Sequence, residues 1–116
     1  MKRLRNNQIA VDQGSSVMFS DFANNGPMWS GDGPRESVTP VEFADPYLEP
    51  PSVHVSISMW DTGGDTNQRA DLRAEKITRQ GFSLVFRTWG DSRVARIRAD
   101  WMSVGEVADD DAWDVD

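Results

Sequence analysis

Three stretches of this 116-residue chain hold the side chains with the most scope for chemistry. In Trp29-Ser30-Gly31-Asp32-Gly33-Pro34-Arg35 two glycines allow a backbone turn that brings a carboxylate close to a ligand. Asp61-Thr62-Gly63-Gly64-Asp65-Thr66-Asn67-Gln68-Arg69 is a polar connection that ends in a guanidinium, and Thr88-Trp89-Gly90-Asp91-Ser92 is a tight turn carrying an indole. A carboxylate accepts and a guanidinium donates, so the two together hold vicinal hydroxyls, while an indole face covers the apolar C–H patch of a pyranose. That is the chemistry of a sugar site.

Each group also has a plainer structural use. Asp32 can cap its own turn, Arg69 can be a surface ion-pair partner, and Trp89 at a strand end can be partial core. The chain has one His and no Cys, whereas a hydrolase needs a paired acid and base or an activated nucleophile, so no enzyme and no catalytic residue is expected. Hydrolysis by two carboxylates stays formally open, without a pocket signal to favour it. The loop bearing Asp61, Asp65 and Asn67 lacks the regular ligand spacing and closing Glu of a calcium loop, so neither metal nor cofactor is expected. His54, on the polar side of a strand, reads as packed or interfacial.

The elements that must position these groups follow from hydrophobic period, which is 2 far more often than 3.6. Val53, Val55, Ile57 and Met59 alternate with His54, Ser56 and Ser58, a half-buried strand. Phe82, Leu84 and Phe86 share one face, and Ala95, Ile97, Ala99 and Trp101 alternate with Arg96, Arg98 and Asp100. Weaker strand signals lie at 7–12, 16–19, 39–43 and 72–77. Some six or seven short strands without a helix-length pattern predict an all-β fold, an antiparallel sandwich. Arg87, Arg96 and Arg98 are expected on the polar faces of two adjacent strands. They either pair across strands with Asp71, Asp100 or Glu75, or meet partners from neighbouring subunits around a symmetry axis.

Composition sets the outer bounds. The length allows one domain, with residues 1–13 as an N-terminal arm, 14–105 as the sandwich and 106–116 as an acidic tail. The net charge of −7 falls to −1 without the last eleven residues, which hold six acids and no base. A near-neutral body lacks the basic footprint that nucleic-acid binding needs, so no such partner is expected. The tail reads as solvated, with Val107 and Trp113 as the alternative seed of a docking peptide. No apolar run approaches the roughly 18 residues of a membrane span, so no membrane insertion is expected. Lys2, Arg3 and Arg5 precede no apolar segment, and no secretory signal is visible.

The run Phe43-x-x-Pro46-Tyr47-x-x-Pro50-Pro51, Val53 to Ser58, Asp61, Asn67-x-Arg69, Gly81-Phe82, Thr88-Trp89 and Asp100-Trp101 is similar in order and spacing to H-type lectins such as the snail agglutinins and the C-terminal domains of the discoidins. This resemblance covers about residues 28 to 105 and implies a six-stranded antiparallel β-sandwich assembled as a homotrimer. Galactose-type sugars, N-acetylgalactosamine especially, would bind in its intersubunit clefts. It also implies that Asp32 is the ligand carboxylate, Arg69 the ligand arginine and Trp89 the stacking ring, with Ser30 and Gly90 beside them. Gly90 and Ala95 stand where the snail lectins carry a His and a Tyr, so the groups that grip an acetamido substituent and wall the sugar are missing.

Two roles fit these features. One is a lectin for galactose-type or bacterial surface glycans, acting in adhesion or attachment. The other is a structural fibre or spike module of a phage-like particle, anchored to a particle protein through residues 1–13. Either role implies an extracellular or particle-associated location.

Overall fold

In the computed structural model, which describes residues 1–5 and 8–108, six strands and one short helix follow one another along the chain. They are β1 (Ile9–Ser20), α1 (Pro27–Ser30), β2 (Arg35–Glu42), β3 (Ser52–Thr62), β4 (Asp71–Glu75), β5 (Gly81–Thr88) and β6 (Val94–Glu106). Two antiparallel sheets of three result, ordered β1-β6-β3 and β2-β5-β4.

The alternation that predicts the strands also fills the space between the sheets. Phe82, Leu84 and Phe86 of β5 face Ile97, Ala99 and Trp101 of β6, and all of these except Trp101 are fully buried. Phe43 and Tyr47, from the connection between β2 and β3, close one end of this core, with ring centroids 5.0 Å apart. Phe82 meets the Trp101 ring edge-on at 5.5 Å. Such aromatic contacts add directional packing to the area buried. The buried Tyr47 hydroxyl is bonded to Ser103 Oγ at 2.7 Å, so its polar end is satisfied inside the core.

The structure departs from the sequence-based expectation at particular residues. The weak signals at 7–12 and 16–19 belong to one strand: β1 runs unbroken through Gly14, because the Trp101 indole lies across that position. A Cβ on Gly14 would stand 2.7 Å from the indole nitrogen, so only glycine leaves room there. Residues 9–13, expected in the arm, form the first half of β1, and Glu106, expected in the tail, ends β6. The remaining tail residues from Asp109 onward lie outside the described residues, Trp113 among them.

The expected adjacency of the arginine-bearing strands is also corrected. β5 and β6 lie in opposite sheets, so Arg87 projects from the outer face of one sheet and Arg96 and Arg98 from the outer face of the other. The few residues between the two strands cross from sheet to sheet and do not turn a hairpin. Arg87 bonds Glu36 at 2.9 Å and also Glu75, while Arg96 reaches Asp61 at 3.4 Å. The Arg87 pairing holds the Glu75 carboxyl below the usual carboxylate range.

Candidate functional site

Topology gathers the three polar stretches at one end of the sandwich. The connections β1 to β2, β3 to β4 and β5 to β6 all pass from one sheet to the other, and antiparallel pairing puts them at the same pole. Their backbones are tied together. Gly33 N donates to Gly90 O at 3.0 Å, and Gly63 N donates to Arg93 O at 2.8 Å. Arg35 reinforces the first tie by donating from Nη2 to Gly90 O at 3.2 Å and from Nε to Gly33 O at 2.9 Å. Arg93 reinforces the second, with its guanidinium 4.3 Å above the Trp29 ring and Nε donating to Trp29 O.

Arg69 sits at the junction of the second and third loops. Its backbone N–H donates to the hydroxyl of Ser92 at 2.9 Å, and that hydroxyl donates in turn to the carbonyl of Trp89 at 3.0 Å. The Thr88 hydroxyl donates to Arg69 O. Ser92 is fully buried and Thr88 nearly so, so both hydroxyls are committed to holding Arg69 beside the Trp89 turn. The sequence places both residues in the third stretch without giving them a role, because their buried, bonded state depends on loop packing that no local pattern records.

The guanidinium of Arg69 meets Asp91, with Nη1 to Oδ1 at 3.0 Å. Asp91 also accepts from Asn67 N, the largest of the effects that hold its carboxyl below the usual range; Arg69 adds to them. Gly90 lies between these groups at φ +68°, where a Cβ would stand 3.1 Å from Arg69 Nη1. Glycine therefore serves twice, by taking up the left-handed turn and by giving the guanidinium its space.

The predicted residues are distributed unevenly over this cluster. Arg69, Trp89 and Gly90 come together, and Trp89 is 44% exposed, which sets it apart from the core aromatics and leaves it open to a ligand. Asp32 is exposed on the adjoining loop, and its Oδ1 accepts the N–H of Gly33 at 2.9 Å. The carboxylate on Arg69 is thus Asp91, with Asp32 one backbone tie away through Gly33 and Gly90. The Ser30 hydroxyl donates to Asn25 O at 2.8 Å and Gly26 O at 2.9 Å, closing the helical turn of α1. What remains accessible on the loops of this pole is a guanidinium, two carboxylates and an indole, groups that can donate to and accept from hydroxyls and cover an apolar ring face.

Comparison with known proteins bears on the family of the chain. A model of the H-type lectin domain matches residues 38–104. A protein of Fuscovulum blasticum named ATP synthase subunits region ORF 7 is 52% identical over 108 residues, covering 93% of this chain and 94% of its own length. A discoidin-1 polypeptide of Dictyostelium discoideum is 35% identical over 97 residues, 83% of this chain but 38% of the discoidin. The native structure of recombinant discoidin II from the same organism superposes with a TM-score of 0.73 at 28% identity, covering 85% of this chain and 38% of that one. With the fold, the loop cluster and these matches together, the chain belongs to the H-type lectin family.

Proposed function

We propose that this protein is a non-enzymatic lectin whose loop-end rim binds galactose-type sugars or bacterial surface glycans. The observation that carries the reading is the Arg69–Asp91 pair at 3.0 Å, with Asp91 on the same tight turn that carries the half-exposed Trp89. Arg69 and the carboxylates hold hydroxyls, Trp89 stacks on the sugar ring, and Asp32 lies on the neighbouring loop as a further acceptor. A single sugar site of this kind is weak, and a homotrimer presenting equivalent intersubunit clefts raises avidity without new contacts. Trimer formation has a physical candidate surface. The outer face of sheet β1-β6-β3 leaves Ile9, Val11, Val17 and Met102 substantially exposed among the polar Gln13, Ser15, Arg98 and Asp100, apolar groups that association would cover. Titration of glycans into the native protein and an Arg69→Ala variant tests the site, with loss of binding in an intact assembly as the expected result.

A second role is favoured by one feature of the fold. Residues 1–5 lie at the pole opposite the sugar rim, where Lys2 Nζ donates to Pro50 O and Arg5 N donates to Glu106 at 3.1 Å. Recognition at one end and a basic segment at the other suit a trimer mounted on a fibre or phage-like particle protein and exposed at a cell or particle surface. Copurification of such a protein with the native chain, lost on deletion of residues 1–5, tests this arrangement.

A further inference from the structure

Trp89 borders a second region that the Arg69 rim does not use. Arg87 and Trp89 are two residues apart at the end of β5, so both project from the outer face of sheet β2-β5-β4. β2 runs alongside, with Glu36 opposite Arg87 and Arg35 opposite Thr88. Together with Pro34 these residues line a cavity of about 300 Å³, at the lower end of the size range of small-ligand sites.

We propose that this cavity is a second sugar subsite, joined to the Arg69 rim through Trp89, that takes the next neutral saccharide unit of a glycan whose terminal unit is held at Arg69. The inference rests on the lectin reading and adds residues and a ligand class to it. Arg87 Nε donates to Glu36 Oε2 at 2.9 Å and Nη1 donates to Glu75. A guanidinium has five N–H groups, so some remain to meet hydroxyls, and the Arg87 and Glu36 side chains are 39% and 49% exposed. The two carboxylates fix the guanidinium before any ligand arrives, which lowers the ordering cost of binding. Arg35 and Arg87 balance Glu36 and Glu75, so the cluster has no net charge to offset the desolvation of an ionised sugar, and a neutral unit is favoured. A cross-strand ion pair alone would account for Glu36 and Arg87, but not for an indole left half exposed against the same cavity.

The test is calorimetric titration of galactose, lactose and melibiose into the full-length protein and its Glu36→Ala and Glu36→Gln variants. The expected result is that at least one disaccharide binds about fivefold or more tighter than galactose, the gain of roughly one added hydrogen bond. Glu36→Ala removes that gain with galactose affinity unchanged, and Glu36→Gln, which keeps an acceptor oxygen, retains part of it. If galactose binds but neither disaccharide binds tighter, or if the gain survives in Glu36→Ala, the subsite is overturned while the lectin reading stands. If none of the three sugars binds the native protein, the galactose-type reading fails and the subsite falls with it.

Discussion

The Ser92 hydroxyl receives the backbone N–H of Arg69 at 2.9 Å and donates to Trp89 O at 3.0 Å, so one buried group fixes both the guanidinium-bearing loop and the indole-bearing turn. Ser92→Ala leaves a buried N–H without a partner, at a cost of about 1–3 kcal/mol. Chemical denaturation should show that loss, and glycan affinity should fall as Arg69 loses its anchor.

Gly90→Ala tests the space given to Arg69. An L side chain at φ +68° costs about 1–2 kcal/mol, and its Cβ at 3.1 Å would push Nη1 aside. Titration of the variant should show sugar affinity reduced about tenfold or more, with the melting temperature lowered by only several degrees.

The state of Asp91 gives a pH prediction. Its folded pKa lies below the ordinary 3.8, chiefly through the N–H of Asn67. A lowered carboxylate pKa contributes stability that is fully present above the unfolded value and lost as pH falls through the folded one. The rim should therefore hold at neutral pH and loosen only below about 3.8, and Asp91→Asn should remove that contribution at all pH values. Stability curves of native and variant protein should converge as the pH drops.

Gly14→Ala probes the core and not the rim. The new Cβ would lie 2.7 Å from the Trp101 indole, and overpacking of this kind costs about 1–3 kcal/mol. The variant should unfold at lower denaturant concentration while its sugar affinity, referred to folded protein, stays native.

Val11, exposed on the outer face of sheet β1-β6-β3, tests the assembly. A charge there costs little in a monomer but is buried unpaired in an oligomer that covers this face. Sedimentation should show the native chain as a trimer and Val11→Asp as a folded monomer.

The same residues explain what could be foreseen in the sequence. β3 is legible because it buries one face, which imposes strict alternation on Val53 to Ile57, and β5 because it is rich in apolar residues from Phe82 to Phe86, with Leu84, Val85 and Phe86 all buried. β1 reads as two strands because Gly14, Ser15 and Ser16 interrupt its apolar pattern, and only the Trp101 side chain, far along the chain, explains the glycine. The sheet-to-sheet path between β5 and β6 is hidden because a short polar turn between two strands looks the same whether it closes a hairpin or crosses a sandwich. At the site, Arg69 and Trp89 stand out by residue type. The partnership of Arg69 with Asp91 does not, because it depends on loops 22 residues apart meeting at one pole.

The most direct test of the central claim is titration of the native protein and Arg69→Ala with galactose-type and bacterial surface glycans, with sedimentation of both proteins alongside. Selective binding by the native protein that is lost in Arg69→Ala, with the assembly unchanged, is the predicted result. Binding that persists in Arg69→Ala, or a native protein that is folded and assembled yet binds none of these glycans, would contradict it.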